Sequence, residues 1–300
     1  MSQPAKNFGV IVGVDGSPAS NAAVRWAAHD SAMRHLPLTL VHVLSPIVTP
    51  WARTPLPNGF AVWQENEGRS ILCDALKVCE DSIKGGQPAS IKSELLFSPI
   101  VETLLDLSAH AELVVVGNYG RGTLARGLLG SVSSSLVRHA HCPVAVIRDD
   151  EPLGPNHPEA PVLVGIDGSP ASELATALAF DEASRRQVDL VAIHAWCDRE
   201  IIELPGLDWA AVRAEEERSL AERLAGWQEN YPDVTVQRLL VCDRPARALI
   251  QTSGSAQLVV LGSHGRGSFS GMLLGSVSNA VVQAIRVPVI VARSTDREGR

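Results

Sequence analysis

Two stretches of the chain carry glycines at a spacing suited to gripping an anion. One reads Gly117-Asn118-Tyr119-Gly120, then nine residues, then Gly130-Ser131. The other reads Gly262-Ser263-His264-Gly265, then nine residues, then Gly275-Ser276. Each follows an apolar, strand-like run (Leu113 to Val116; Leu258 to Leu261) and precedes a helical one. A glycine-rich turn between a strand and a helix N-terminus points backbone N–H groups at a ligand, and the helix dipole favours negative charge there. A tight turn alone accounts for the first two glycines of a frame. It does not call for a further glycine nine residues on, whereas a phosphate clamp needs a loop that folds back. Two frames imply two phosphate-bearing ligands per chain.

Other residue types cluster around these frames. Ser131 and Ser276 follow the third glycine, as helix N-caps or as phosphate donors, roles that are compatible. Ser133 and Ser278 fall in the first helical turn and can also donate. Asp15 and Asp167 close the first strand of each half. They read as Asx-turn residues or as acceptors for base and ribose donors, away from phosphates that a carboxylate would repel. Arg121 and Arg266 follow the second glycine, to neutralise phosphate or as solvated loop arginines. His139, His141 and Cys142 suggest a metal, but Ala284, Arg286 and Val287 stand opposite them in the second half. The pattern therefore points away from a metal site. No P-loop lysine, no dinucleotide fingerprint after the first strand and no nucleophile elbow is present. Tyr119 and His264 occupy the same loop position, so the two halves share no base for attacking water. Binding is better supported than turnover.

The elements that must position these residues come in a duplicated series. Gly13-Val-Asp15-Gly16-Ser17-Pro18-Ala19-Ser20 recurs as Gly165-Ile-Asp167-Gly168-Ser169-Pro170-Ala171-Ser172. Asp15 to Asp167 and His42 to His194 are both 152 apart, whereas Gly117 to Gly262 and Pro143 to Pro288 are both 145 apart. The first half is thus 7 residues longer between His42 and Gly117, and the Pro-rich stretch Ser45 to Phe60 is the expected loop. Expected boundaries are one domain at 1–150, a Pro-rich acidic linker at 151–160 and a second domain at 161–300. The first half predicts strands at Gly9–Val14, Leu38–Leu44, Ser90–Phe97, Leu113–Gly117 and Val144–Ile147. Helices are predicted at Ala19–His35, Ala61–Lys84, Val101–His110 and Gly130–Ala140. The second half repeats that order, with strands near 162–166, 189–195, 234–241, 258–262 and 289–292. Its helices are predicted near 171–186, 208–229, 244–253 and 276–285. Alternating strands and helices give an α/β fold: two tandem doubly wound domains, each with a five-stranded parallel sheet of order 3-2-1-4-5. Ligands bind such sheets where the strand order reverses, between strands 1 and 4. The strand-1 aspartate and the glycine frame then meet, although about a hundred residues separate them.

Composition sets the class. The chain has 300 residues, 45% hydrophobic and 20% charged, with a formal net charge of −7. That balance lacks the basic stripe of a nucleic-acid binder. The apolar run Phe8 to Val14 is too short for a membrane span or a signal peptide. Five scattered cysteines without a CxxC fit a reducing compartment. A cytoplasmic protein is expected.

The Gly-x2-Gly-x9-Gly-Ser frame with a strand-1 aspartate resembles the ATP-binding class of the universal stress protein family, across nearly the whole chain and in tandem. Gly262-Ser-His-Gly265-Arg-Gly267 and Leu274-Gly-Ser-Val-Ser278 lie close to the family pattern, and Asn118-Tyr119 departs from it. The resemblance implies an ATP pocket in each half, with Mg²⁺ as a candidate companion ion. Asp15 and Val43 would lie on the base and ribose side; Gly117, Gly120, Gly130, Ser131, Val132 and Ser133 would hold ribose and phosphates. The second half offers Asp167, Ala195, Gly262, Gly265, Gly275, Ser276, Val277 and Ser278. The resemblance also implies pairing through the fifth strands, as a pseudo-dimer within one chain or a homodimer. It implies a nucleotide-dependent regulatory role under stress such as hypoxia, starvation or dormancy, exerted on unidentified protein partners. A weak ATPase or nucleotidyl-transferring enzyme and a nucleotide-free scaffold are the alternatives. Gly117→Ala and Gly262→Ala are expected to remove one site each, by blocking the ligand's approach to the backbone.

Overall fold

A computed structural model describes residues 8–46, 59–83, 88–121, 129–149, 159–196, 208–266 and 274–293. Most of the Pro-rich stretch at 45–60, most of the expected linker and the middle of both glycine frames lie outside the described residues. The chain divides into two compact units, parted after Asp149.

In the first unit the strands are β1 (Val10–Gly13), β2 (Leu38–Leu44), β3 (Ile91–Phe97), β4 (Leu113–Gly117) and β5 (Val144–Ile147). They alternate with helices α1 (Pro18–Met33), α2 (Phe60–Ser82), α3 (Ile100–Ser108) and α4 (Ser131–His139). All pairs are parallel, in the order β3-β2-β1-β4-β5. The second unit repeats the series as β6 (Val162–Gly165), α5 (Pro170–Arg186), β7 (Leu190–Ala195), α6 (Trp209–Asn230) and β8 (Val236–Val241), then α7 (Pro245–Ser253), β9 (Leu258–Gly262), α8 (Ser276–Ala284) and β10 (Val289–Ala292). Its order is β8-β7-β6-β9-β10, again all parallel. The expected 3-2-1-4-5 arrangement holds in both units, and the elements fall within about two residues of the expected bounds.

The reason is legible in the residues. Central strands are runs of β-branched and aliphatic side chains covered on both faces by helices. Val10, Ile11, Val12, Val114 and Val115 are fully buried, as are Val162, Leu163, Val164, Leu258, Val259 and Val260. Each such side chain contributes roughly 1.5–3 kcal/mol of transfer free energy. Cys79 belongs to this core; burial, with a lesser push from Glu80, raises its thiol to about 11. It therefore stays protonated and packs as a small apolar group. Cys73 and Cys79 are free thiols. No helix among the described residues is long and apolar enough to cross a membrane.

The first turn of each unit is built for a sharp exit from the sheet. Gly16 and Gly168 take φ of +77° and +75°, which glycine adopts without a Cβ penalty. Ser17 and Ser169 then cap α1 and α5, accepting from the amides of Ser20 and Ser172 at 3.1 and 3.2 Å, and Pro18 and Pro170 begin the helices.

Candidate functional site

In the second unit a cleft of about 560 Å³ opens beyond the C-terminal ends of β6 and β9, where the strand order reverses. Asp167, Ala195, Gly262, Gly265, Gly275, Ser276, Val277 and Ser278 all line it. Residues from the β6 turn, the end of β7, the glycine loop and the start of α8 therefore converge on one space. Two bonds hold that convergence. The Gly275 amide donates to the Ser263 carbonyl at 2.7 Å, closing the glycine frame on itself. Ser278 Oγ donates to the Gly262 carbonyl at 2.6 Å, tying α8 to the strand end. The Ser278 hydroxyl is thus spent on the loop. The first amides of α8 have no i−4 partner, as in any helix, and its N-cap, Gly275, supplies no side-chain bond. Arg266 and His264 line the same cleft. Together they make its β9–α8 end a place for negative charge.

The first unit has the same wiring. Gly130 N donates to the Asn118 carbonyl at 2.7 Å, and Ser133 Oγ donates to the Gly117 carbonyl at 2.9 Å. Asp15 reaches across the hundred-residue gap: its Oδ2 accepts from the Arg121 amide at 3.1 Å, while Oδ1 accepts from Ser17 N at 2.9 Å. The Asx-turn role and the approach to the glycine loop therefore coexist in one carboxylate. Val43 is buried near the end of β2. Tyr119 donates its hydroxyl to Asp149, beyond the end of β5. His264 in the second unit instead meets Ser263 Oγ at 2.7 Å through Nδ1.

Two expectations change. Ser131 and Ser276 are the first residues of their helices; the N-caps are Gly130 and Gly275, in extended conformation. A Cβ at the cap would meet only ordinary or slightly tight contacts, the nearest at 3.3–3.4 Å, so space there does not demand glycine; glycine is itself an acceptable cap, and the serine stands one place inward. The glycines at the strand ends serve the protein's own packing. A Cβ on Gly117 would stand 2.8 Å from the backbone of Ala19, and one on Gly262 2.8 Å from that of Ala171. A Cβ on Gly120 or Gly265 would collide with the carboxylate of Asp15 or Asp167. An alanine there disturbs the fold before it disturbs a ligand.

The arginines also part company. Arg121 lies over Gly16, with Nη1 3.4 Å from Glu67. Over the equivalent Gly168 the guanidinium comes from Arg223 on α6, with Nη1 3.4 Å from Glu173. Arg266 is the one in its cleft.

The cleft wall also carries a pair that the sequence pattern does not single out. His194 Nδ1 lies 2.6 Å from the Ile166 carbonyl, and Nε2 lies 3.2 Å from Glu216 Oε2. The repeated His42/His194 signalled the duplication only. Glu216 sits in Glu215-Glu216-Glu217, which reads as a solvated helix face.

Comparison with known proteins bears on this geometry. The family model described as universal stress protein family matches twice, over residues 9–148 and 160–293. The chain belongs to the universal stress protein family. Among members of that family, universal stress protein Rv2005c of Mycobacterium tuberculosis (strain ATCC 25618 / H37Rv) is 63% identical over 295 residues, covering 98% of this chain and 100% of the relative. Universal stress protein Rv2623 of the same strain is 55% identical, with 98% and 99% coverage. The crystal structure of a universal stress protein from Archaeoglobus fulgidus DSM 4304 aligns over 98% of both chains with a TM-score of 0.65 at 20% identity. That last likeness shows the fold. The universal stress protein fold therefore extends over both halves, as the tandem resemblance implied.

Proposed function

We propose that each half of this universal stress protein binds one adenine nucleotide, ATP, and that the chain acts as a nucleotide-dependent regulator through protein partners, with little or no hydrolysis. One observation carries the reading. All eight residues expected of the second half line a single cleft of about 560 Å³, a volume within the usual range for small-molecule sites. The cleft's chemistry suits the two ends of a nucleotide. Arg266 and the start of α8 offer positive charge and free amides to phosphates. Ile166, Ile193, Ala195 and Leu249 offer an apolar wall to a base. Mg²⁺ would arrive on the phosphates, since that ion keeps much of its water and needs few protein ligands. The loop position that could present a base to attacking water carries Tyr119 in one half and His264 in the other, so the duplicated plan includes no common base and binding is better supported than turnover.

The reading predicts that the purified chain, denatured and chromatographed, releases adenine nucleotide, up to two equivalents per chain. A chain that releases none, and whose thermal midpoint does not move with added ATP, would contradict it.

A further inference from the structure

Glu216 is held in an unusual way for a residue in an acidic helical run. Its Oε2 faces His194 Nε2 at 3.2 Å, and His194 Nδ1 is already committed to the Ile166 carbonyl at 2.6 Å. A carbonyl can only accept, so Nδ1 carries a proton. Both His194 and Glu216 line the cleft. Glu216 retains 30% side-chain exposure, against 8% for His194, and its Oε1 has no hydrogen-bond partner among the described residues. One carboxylate oxygen is thus pinned to the sheet through a buried histidine, and the other is left open on the wall of the cleft.

Among the described residues, the first unit shows no such group. His42 makes the same contact, Nδ1 to the Val14 carbonyl at 2.6 Å. The residue across from its ring is Gly68, whose missing Cβ would stand 3.1 Å from His42 Cδ2. Gly68 precedes the buried Leu72 by four residues, as Glu216 precedes the buried Leu220. The two helices therefore bring corresponding positions to the histidine, and only the second supplies an acceptor.

We propose that Glu216 is a specificity-determining residue of the second pocket, its free Oε1 accepting a hydrogen bond from a donor on the nucleoside end of the ligand, with His194 as the residue that positions it. The inference rests on the proposed nucleotide reading. A carboxylate on this wall is repelled by phosphate and rewarded by a donor. A nucleoside carries donors of two kinds: the ribose hydroxyls and the exocyclic amine of adenine. The second pocket would then discriminate among nucleosides where the first does not.

The test uses the full chain and the fluorescence of Trp196, which lines the same cleft, its contribution identified by difference from Trp196→Phe. ATP, 2′-deoxy-ATP, 3′-deoxy-ATP and the purine riboside triphosphate lacking the 6-amino group are titrated into the natural chain and into Glu216→Ala. Glu216→Gln, which keeps the volume and one acceptor oxygen, is run alongside. Glu216→Ala should bind ATP on the order of ten-fold more weakly at the second site, as loss of a hydrogen bond to a charged group does, with Glu216→Gln in between. The affinity ratio between natural chain and Glu216→Ala should fall to about one for the analogue that lacks the contacted donor, ribose or amine. A purely structural role for Glu216 would weaken all four ligands alike. That result, or unchanged ATP affinity in Glu216→Ala, overturns the inference. Failure of the natural chain to bind any of the four overturns the nucleotide reading itself.

Discussion

At Gly117 and Gly262 the absent side chain matters to the helix that follows the first strand. The backbones of Ala19 and Ala171 lie 2.8 Å from where a methyl would sit. That distance requires backbone to move, and overpacking of this kind typically costs about 1–3 kcal/mol. Gly117→Ala and Gly262→Ala should each lower the thermal midpoint of the nucleotide-free chain by several degrees, at roughly 2–4 °C per kcal/mol for a domain of this size. Scanning calorimetry without ligand checks this. An unchanged midpoint would mean that these glycines serve only the ligand. Gly120 and Gly265 act differently, making room for the carboxylates of Asp15 and Asp167, the first of which bridges two loops. The same residues can therefore be essential to a site without touching what binds there.

Among the elements, the β1–α1 and β6–α5 turns are near copies that differ in their side-chain hydrogen bonds, including one from Asp167 N to Ser172 Oγ at 3.1 Å in the second unit. Ser169 Oγ caps α5 and also donates to the His264 carbonyl at 3.2 Å, joining the first turn to the glycine loop. Ser17 caps α1 through the Ser20 amide and accepts Ser20 Oγ at its carbonyl. Loss of an N-cap costs about 1 kcal/mol, and a further hydrogen bond adds about as much. Urea unfolding should find Ser169→Ala more destabilising than Ser17→Ala, by about 1 kcal/mol; equal losses would show that the loop contact carries no energy. These turns were readable in advance. Asp-Gly-Ser-Pro states its own geometry: a left-handed glycine, a serine cap and a proline that starts a helix. The strands β1, β4, β6 and β9 were readable for a similar reason, as unbroken aliphatic runs between turn residues. The Glu216–His194 contact was not. Which glutamate of a Glu-Glu-Glu run turns inward depends on where α6 docks against β7, and local pattern carries no term for that. Nor could the sequence say that Ala19 and Ala171 crowd the strand-end glycines, because that approach is made across about a hundred residues of chain. Ser131 was misplaced by one residue because serine and glycine are both acceptable caps.

On the scale of the whole molecule, duplication has yielded two units with one plan and different fittings. Each carries a closed glycine frame, an aspartate beside it and a helix whose glycine cap leaves its first amides without a side-chain partner. They differ in what surrounds that plan. Tyr119 bonds to Asp149 where His264 meets Ser263, Arg121 occupies the place that Arg223 takes, and Gly68 stands where the second unit has Glu216. Ordinary divergence between two ligand sites of shared ancestry would leave such a record: the main-chain grip kept, the side-chain walls altered. Two sites of unequal affinity are therefore expected on one chain.

The direct test exploits an opposition of signs at the start of α4 and α8. An acid at the first helical position stabilises a helix by about 0.3–1 kcal/mol through its dipole, yet repels a phosphate placed there. Ser131→Glu and Ser276→Glu should leave the nucleotide-free chain at least as stable as before while each removes one binding site. Calorimetric titration of ATP into the stripped chain should count about two sites, about one in either single variant and none in the double variant. Two sites still filled in a stably folded double variant would contradict the claim that the main-chain amides opening these helices hold the phosphates.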